Sequence, residues 1–315
     1  MIGRDVTKAA NLLSQGKLVA IPTETVYGLA ANALDPNAIA EIYRIKNRPS
    51  FNPLILHVPN WEAAKLYVTN FPEEAKKITQ HFWPGSLSIL LPKNNIVPDV
   101  VTAGSSQVVL RVPNHPLTLE LLNRINFPLA APSANISNTV SPTSADHVKN
   151  GIGNQIDYIL DGGRCQVGIE STIISIENGR VQILREGGIS QEVILKQTGL
   201  KISVSTEKTV QTPGQLKKHY ATQKPLYIVD SISEYLKENP TQLCSILYYE
   251  KQSNSPTKYS YFLSKDYNLS EIANQLFAMM RLADQDSTDC ILIEPIKIEG
   301  IGRAIDDRLK RAASN

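Results

Sequence analysis

The chain has 315 residues, of which 42% are hydrophobic and 20% charged, a composition typical of folded proteins that excludes a disordered, collagen-like or coiled-coil chain. Thirty-two Lys and Arg against 30 Asp and Glu leave a net charge of +2, which neither requires nor excludes a nucleic-acid partner. No apolar run approaches the roughly 18 residues of a membrane helix, and the N-terminus does not read as a secretory signal.

In chain order, the first 200 residues alternate short apolar runs with amphipathic stretches, the pattern of an α/β fold. Strands are predicted at residues 18–22, 54–58, 86–91, 108–112, 128–131, 158–160, 172–176 and 181–184. Helices are predicted at residues 38–46, 73–82, 117–124, 144–149 and 191–198.

The amino-acid composition of the chain changes after residue 200. Residues 201–222 are polar and contain Thr212-Pro213-Gly214, which is linker composition. A small open sheet with helices on both faces is predicted next, with strands at 226–229, 245–249, 259–263 and 290–293 and helices at 232–238, 269–282 and 303–312. The predicted organisation is a domain at 1–203, a linker at 204–224 and a second domain at 225–315.

The three cysteines indicate a cellular compartment. Cys165, Cys244 and Cys290 are far apart, odd in number and without CxxC spacing. A disulfide framework and a cysteine-based zinc site are therefore not expected, and the reduced cytoplasm is the predicted location.

Two segments carry hydroxyls and small residues at strand ends. The segment 22–29 (PTETVYGL) has the hydroxyls, carboxylate and glycine of many α/β ligand sites, and a turn with a capping threonine explains it equally well. The segment 130–135 (AAPSAN), with Ser141 nearby, lets a backbone approach a ligand while hydroxyls and an amide hold phosphate or ribose oxygens. A capped loop has the same composition, so both interpretations stay open.

Basic residues stand where the first predicted helix ends. Pro49 disfavours helix at Arg48, so the helix is expected to end at Lys46 and Arg48 to be an exposed cation in an irregular segment. In such a segment both cations can reach a polyanion. Taken alone, a helix C-terminus with basic residues is the commoner explanation. His57 alternates with apolar neighbours, as a structural histidine does, and Arg185 at a strand end is a candidate second phosphate ligand.

Several motifs of known chemistry are absent from the sequence. The chain has no GxxxxGK[ST] loop, no strand-linked GxGxxG, no HExxH and no GxSxG, and its five histidines lack metal spacing. The residues alone therefore predict a site for an anionic small molecule such as a nucleotide and leave the reaction open.

Taken together and in this order, the segments resemble the L-threonylcarbamoyladenylate synthase family in its longer, two-domain form. The resemblance is dense over residues 10–200 and resumes in the linker and near the C-terminus. The matching residues are 22–29, 46–49, 52–54, 83–85, 110–113, 131–135, 141–143, 168–172, 184–187, 213–214, 219–221, 302–304 and 307–309. Each motif alone is weak evidence for the family, whereas so many motifs in the same order are specific for it.

The resemblance implies a fold and an activity. The N-terminal domain would be a twisted, mixed open sheet with a deep, positively lined cavity, and the second domain a smaller Rossmann-like sheet. The family joins L-threonine, bicarbonate and ATP into threonylcarbamoyl-AMP and pyrophosphate, with Mg²⁺ expected on the ATP. Downstream partner proteins then transfer the threonylcarbamoyl group to an adenosine of tRNA, so this chain itself needs no stable nucleic-acid binding and no membrane.

The resemblance also implies roles for individual residues. Lys46 and Arg48 would supply catalytic positive charge, and Arg111 would pair with the threonine carboxylate. The threonine-binding positions are Thr25, His57, Arg111, Ala131 and Ser171. The ATP-binding positions are Arg48, Asn52, Gln107, Ser133, Asn135, Ser141, Arg185 and Tyr220, and none is assigned to a metal. Gln107 stands where the family often has a hydroxyl residue, and residues 211–222 are expected to form a lid that the second domain stabilises.

Two other functions stay open at this point. An RNA-binding module would use the basic cavity, although the near-neutral charge and the lack of aromatic and basic platforms argue against it. Carbamoyl transfer onto a protein, as in hydrogenase-maturation proteins that contain a related domain, would need zinc-finger regions for which this chain has no cysteine clusters.

Overall fold

The computed structural model describes residues 1–177, 179–204, 219–252 and 257–314, which form two sheets with helices packed around them. The strands of the larger sheet are β1 (Ile2–Gly3), β2 (Val19–Ile21), β3 (Gly28–Asn32), β4 (Ile55–His57), β5 (Leu87–Pro92), β6 (Gln107–Arg111), β7 (Leu129–Ala130), β8 (Tyr158–Leu160), β9 (Thr172–Glu177), β10 (Arg180–Arg185) and β11 (Ile202–Val204). The accompanying helices are α1 (Val6–Ser14), α2 (Pro36–Lys46), α3 (Trp61–Ala64), α4 (Glu73–Phe82), α5 (Asp99–Thr102), α6 (Pro116–Arg124), α7 (Ala145–Ile152) and α8 (Gln191–Thr198), with a 3-10 turn at Lys65–Tyr67.

The larger sheet is mixed and open, as predicted. Within the described residues it has 11 strands in the order β1-β8-β2-β3-β7-β4-β6-β5-β9-β10-β11. Its pairs include parallel ones, such as β4 with β6, and antiparallel ones, such as β5 with β6. Strands β5 and β6 are buried along most of their length, which explains their nearly continuous apolar sequence.

The smaller sheet is the predicted second domain. Its strands run in the order β12-β15-β13-β14, all described pairs are parallel, and the bounds are β12 (Leu226–Ile228), β13 (Cys244–Tyr248), β14 (Ser260–Phe262) and β15 (Cys290–Ile293). Its helices are α9 (Ile232–Glu238), α10 (Leu269–Gln285) and α11 (Gly302–Ala312). Ile291 and Ile293 share a core with α10 and α11, whereas Leu292 packs with Ile232 of α9. Alternate residues of β15 thus face opposite sides, and helices cover both.

The predicted elements match the structure to within a few residues at each end. Helix α2 begins two residues before its predicted start because Asp35 caps it, accepting bonds from the amides of Asn37 and Ala38, and because Pro36 fits a first turn. The patterns do not predict β1, α1, β3, α3, α5 or β11. Strand β11 lies in the stretch interpreted as linker from its polar composition, and it is a strand because it pairs with β10. Strand β3 has the sequence GLAAN, which lacks the β-branched and aromatic residues that usually mark a strand.

Helix α10 packs against the loop that precedes β9. Asn274 donates from Nδ2 to the carbonyls of Cys165 at 2.7 Å and Gln166 at 2.8 Å. Gly168, at φ +80°, lies so close that a Cβ would stand 2.5 Å from the Cα of Asn274. The second domain is therefore part of the support of this loop.

The predicted domain limits stay a prediction, because residues 205–218 of the linker lie outside the described residues. In the part of the chain that the structure describes, no helix combines the length and the apolar character needed to cross a membrane.

Candidate active site

One cavity collects residues from the loops of the larger sheet and from residues 219–220. It is lined by Thr25, Val26, Arg48, Ile55, His57, Arg111, Ala131, Pro132, Ser133, Glu170, Ser171, Arg185, His219 and Tyr220. All five residues predicted to bind threonine are among them. Four of the residues predicted to bind ATP are there too, namely Arg48, Ser133, Arg185 and Tyr220.

A buried ion pair stands at the end of β6. Arg111 donates from Nη2 to Oε1 of Glu24 at 2.7 Å and from Nε to the carbonyl of Gly85 at 3.2 Å. Glu24 also accepts from the hydroxyl of Ser86 and the amide of Asn114. Burial raises the pKa of Glu24, but the charge and hydrogen bond of Arg111 outweigh it and leave the pKa lowered. Arg111 is thus held in one position at the cavity.

Thr25 belongs to a turn that orients its hydroxyl. Thr23 Oγ1 donates to the carbonyl of Val26 at 2.6 Å and lies 2.8 Å from Thr25 Oγ1. Thr23 Oγ1 also accepts from the amides of Thr25 and Val26, each at 3.2 Å, so Thr23 closes the turn and fixes Thr25 at the cavity. This local side-chain bonding is what the hydroxyl-rich segment 22–29 provides.

His57 ends β4 and lies in register with Arg111 on β6. Its Nδ1 is 3.2 Å from the carbonyl of Ile55. Burial, followed by the neighbouring charge of Arg111, lowers the pKa of His57 to about 3. The ring is therefore neutral at pH 7.

Lys46 is buried and does not line the cavity. Its Nζ donates to the carbonyls of Ser133 at 2.5 Å and Asn135 at 2.6 Å, so it ties the end of α2 to that loop. Burial, and then repulsion from Arg48, lowers the pKa of Lys46 well below its ordinary value. After Lys46, Asn47 ends the helix in the left-handed conformation at φ 48°.

Arg48 lines the cavity, and the expectation of an exposed loop cation is wrong. The side chain is partly buried, and it donates from Nε to the carbonyl of Asn52 at 3.0 Å. Its Nη2 donates to Oδ1 of Asn52 and to the carbonyl of Pro53, each at 2.7 Å. Residues 52–53 therefore hold the guanidinium in place. Asn52 itself is buried behind Arg48 and not among the lining residues.

Arg185, at the end of β10, faces Ser171. Its Nε and Nη2 donate to the carbonyl of Ser171 at 3.1 Å and 2.8 Å, and Nη2 also reaches Ser171 Oγ at 3.1 Å. Burial lowers the pKa of Arg185 to about 10, which leaves it charged at pH 7. Ser171 Oγ lies 2.8 Å from Ser88 Oγ. Arg185 thus lines the cavity, and its role as a second phosphate ligand stays a prediction.

Glu170 is a wall residue to which the sequence patterns assign no role. Its Oε1 accepts from the hydroxyl of Ser141 at 2.7 Å, and its Oε2 accepts from Nε of Arg308 at 3.2 Å. Burial raises its pKa, but the charges of Arg308 and Arg185 outweigh burial and leave the pKa lowered. Glu170 is therefore a carboxylate, and it orients Ser141 behind the cavity wall.

His219 and Tyr220 are the part of the predicted lid that reaches the cavity; residues 211–218 lie outside the described residues. Their ring centroids are 4.1 Å apart, and Tyr220 stacks on Phe277 of α10 at 5.3 Å. Burial lowers the pKa of His219 to about 3 and raises that of Tyr220. Among the described residues, the buried Nδ1 of His219 has no hydrogen-bond partner.

Two further predicted ATP residues lie away from the lining. Asn135 donates from Nδ2 to the carbonyls of Ile136 and Thr139 and so braces its own loop. Gln107 begins β6 opposite Pro92, and the four residues from there to Arg111 span about 13 Å along a strand. Its contact with ATP stays a prediction.

The assembled groups suit a small, multiply charged anion. The guanidiniums of Arg48, Arg111 and Arg185 face one cavity, whereas the carboxylates of Glu24 and Glu170 are each paired with an arginine. Within the described ranges, no group of three or more His, Cys, Asp and Glu side chains is placed to hold a metal ion. Carboxylates and phosphates are the ligands that such an arrangement recognises.

Comparison with known proteins identifies families with which this site is consistent. A family model described as "Telomere recombination", the Sua5/YciO/YrdC model, matches residues 11–187. A second model, described as "Threonylcarbamoyl-AMP synthase, C-terminal domain", matches residues 182–314. The two models together account for nearly the whole chain.

Individual relatives also cover almost the full length. The chain is 38% identical to the threonylcarbamoyl-AMP synthase of Pyrococcus abyssi, covering 97% of this chain and 93% of the relative, and 37% identical to that of Bacillus subtilis, covering 98% and 92%. The crystal structure of P. abyssi Sua5 complexed with L-threonine matches with a TM-score of 0.91 and 35% identity over 99% of this chain and 97% of that one. The chain therefore belongs to the threonylcarbamoyl-AMP synthase family of enzymes, in its two-domain form.

Proposed function

We propose that the chain joins L-threonine, bicarbonate and ATP into threonylcarbamoyl-AMP and releases pyrophosphate. The observation that carries the proposal is that groups suited to an amino-acid carboxylate and groups suited to phosphates line one cavity. The product would serve the formation of N6-threonylcarbamoyladenosine in tRNA, with separate partner proteins making the transfer. The cytoplasm stays the predicted location.

Threonine would bind on the Arg111 side of the cavity. Arg111, held by Glu24 and by the carbonyl of Gly85, would pair with the carboxylate. Thr25, which lines the cavity, would offer its hydroxyl oxygen to the amino group. The crystallisation of the P. abyssi relative with L-threonine supports this half of the proposal.

ATP would bind on the side of Arg48 and Arg185. Both guanidiniums are held by backbone carbonyls, so their charges need no reorganisation when a triphosphate arrives. The same charges would stabilise pyrophosphate as it leaves. Ser133 would add a hydroxyl, and Lys46 would act indirectly by fixing the carbonyls of Ser133 and Asn135.

Mg²⁺ would enter as part of the substrate MgATP. The wall carboxylate of Glu170 is engaged by Ser141 and Arg308, and the described residues provide no cluster of metal ligands. Mg²⁺ readily takes phosphate oxygens and water as ligands, and it would reduce the negative charge of the triphosphate. The protein's arginines would then neutralise the remainder.

Catalysis would come mainly from the way the site positions its substrates. The amine must attack bicarbonate or CO₂ in its neutral form, and the carbamate must reach the α-phosphate before it decomposes. The lining histidines His57 and His219 are weak bases, because burial lowers their pKa to about 3. Positioning, charge neutralisation and exclusion of water are therefore the contributions expected of the protein.

Binding would require part of the wall to move. The cavity has a volume of about 50 Å³, room for only a few water molecules. His219 and Tyr220 belong to the predicted lid and line the cavity, so we expect their displacement on substrate entry.

Pyrophosphate release tests the proposal directly. Release should require both threonine and bicarbonate, and mass spectrometry should detect threonylcarbamoyl-AMP in the same mixture. Release that is independent of either substrate would contradict the proposal. RNA binding with a steep salt dependence and without ATP turnover would instead support the RNA-binding alternative.

A further inference from the structure

The last helix places one side chain inside the catalytic domain. Arg308 of α11 is fully buried, with Nε 3.2 Å from Oε2 of Glu170 and Nη1 2.6 Å from the carbonyl of Glu186. Its Cζ lies 5.7 Å from the ring centroid of Tyr220, within the range of a cation–π contact. Because Glu170 and Tyr220 both line the cavity, one guanidinium supports two parts of its wall.

Stability alone is a poor explanation for this arrangement. Removing an arginine and a carboxylate from water is unfavourable, and well-packed apolar residues often replace buried ion pairs without loss of stability. Within the described residues, Nη2 of Arg308 is moreover buried and without a hydrogen-bond partner. The unpartnered Nη2 and the general availability of apolar replacements therefore point to a role for the pair at the site.

The contacts of Glu170 show what Arg308 controls. Glu170 accepts from the hydroxyl of Ser141, and Arg281 of α10 donates to the carbonyls of Val140 and Ser141. Two arginines of the second domain thus hold the same stretch of wall. Glu170 also lies near Arg185, whose guanidinium donates to the carbonyl of the next residue, Ser171.

Without Arg308, the charge of Glu170 would be balanced differently. The carboxylate lies within electrostatic range of both Arg308 and Arg185. If Arg308 were neutral, Arg185 would have to compensate the buried carboxylate, and less of its field would act on the phosphates. Tyr220 would also lose the cation that faces its ring.

We infer that Arg308 is a positioning residue for the nucleotide half of the site, acting through Glu170 and Tyr220. This inference rests on the proposed function, since it assigns the affected half of the cavity to ATP. It gives the second domain a specific task in the reaction, which is to neutralise and fix one carboxylate of the catalytic domain.

The test uses the full chain and three variants. R308Q removes the charge, R308K keeps the charge without the planar fork, and K310Q removes a charge from the same helix where Lys310 is exposed and pairs with Asp306. For each, the KM of ATP, the KM of threonine and kcat are measured by pyrophosphate release. ATP affinity is measured separately by equilibrium binding, and folding by thermal melting.

We expect R308Q to raise the KM and Kd of ATP by about tenfold or more and to change the KM of threonine by less than about twofold. R308K should recover part of the ATP affinity, and K310Q should behave as the unmodified chain. A folded R308Q with ATP affinity equal to that of the unmodified chain would overturn the inference. Equal increases in the KM of ATP and threonine would overturn it too, because a general structural defect does not distinguish the substrates.

If R308Q does not fold, the ATP affinity of R308K tests the inference instead. A weaker ATP affinity at an unchanged melting temperature supports the inference, and an unchanged affinity overturns it. If the unmodified chain binds ATP but releases no pyrophosphate with threonine and bicarbonate, the proposed function fails by itself. The binding measurements on R308Q and R308K still decide the role of Arg308 in that case.

Discussion

Glu24 and Arg111 form a buried ion pair, with 2.7 Å between Oε1 and Nη2, although 87 positions separate them in the chain. Both side chains are 5% exposed, so neither charge is compensated by water. The pair fixes Arg111 at the cavity and determines what its substitution does: stability and substrate binding change together, and a second substitution is needed to separate them.

Arg111→Ala should raise the KM of threonine by about tenfold or more, with a smaller effect on ATP, because it removes the proposed partner of the carboxylate. It should also lower the free energy of unfolding by about 3–5 kcal/mol, since Glu24 is left buried without its partner. Steady-state kinetics and urea unfolding measure the two effects.

The double variant Glu24→Gln with Arg111→Ala is the matched control. It removes the unpaired charge, so most of the stability should return while the KM of threonine stays high. Equal effects of Arg111→Ala on threonine and ATP would argue against the assignment of Arg111 to threonine.

Arg48→Ala should both raise the KM of ATP and destabilise the fold by about 1–3 kcal/mol, because Arg48 makes charge-assisted bonds to residues 52–53. Arg44→Ala is a control from the last turn of α2, four positions before Arg48: Arg44 is exposed, pairs locally with Glu41 and should change stability by less than about 0.5 kcal/mol. If the two variants had equal stability, the bonds of Arg48 would contribute nothing to folding.

The order of most helices and strands was predictable from the sequence, because local residue patterns mark them. Apolar runs mark the buried strands, and Pro116 marks the start of a helix. Asp35 with Pro36 is a similar signal, although the predicted start of α2 lies two residues later. Strand β3 lacked such a local signal. Its small residues pair with β2 and β7, so only the surrounding sheet makes it a strand.

The residues of the candidate site were predictable where they belong to a recognisable sequence motif. They were less predictable where their role depends on a contact with a residue that is distant in the sequence. Lys46 and Arg48 are neighbours in sequence, yet one supports a loop and the other faces the cavity. Glu170 and Arg308 meet across 138 positions, a pairing that depends on how the two domains pack. The pattern of charged residues along the sequence does not predict such a long-range contact.

Acidic pH should destabilise the protein before its carboxylates titrate. His57 and His219 have a pKa lowered from 6.5 to about 3 by burial, so the unfolded chain binds protons that the folded chain does not. The free energy of unfolding should therefore fall as pH decreases from 6.5 towards 3, by about 1.4 kcal/mol per pH unit for each histidine. The lowered pKa values of Glu24 and Glu170 add a further loss below about pH 4.5.

Urea unfolding at several values between pH 7 and pH 5 measures this slope. His57→Asn should reduce the average slope over this range by about 1 kcal/mol per pH unit. The variant has one buried neutral histidine fewer, and an unfolded histidine is only partly protonated near pH 7. A free energy of unfolding that stays constant over this range would contradict the burial of both rings in their neutral form.

Gly168→Ala should weaken the docking of α10. Gly168 and Gly163 have nearly the same backbone, with φ +80° and +81°, so alanine at either is strained by about 1 kcal/mol. They differ in surroundings: a Cβ at Gly168 would meet the backbone of Asn274 at 2.5 Å, whereas a Cβ at Gly163 meets nothing within 4 Å.

Gly163→Ala is therefore the control that isolates the contact. We expect Gly168→Ala to lose about 1–3 kcal/mol more than Gly163→Ala in urea unfolding, because backbone atoms cannot give way as a flexible side chain does. It should also raise the KM of ATP, since Glu170 lies two residues further along the displaced loop. Equal losses in the two variants would mean that α10 moves aside freely, and that the second domain does not hold this wall of the cavity.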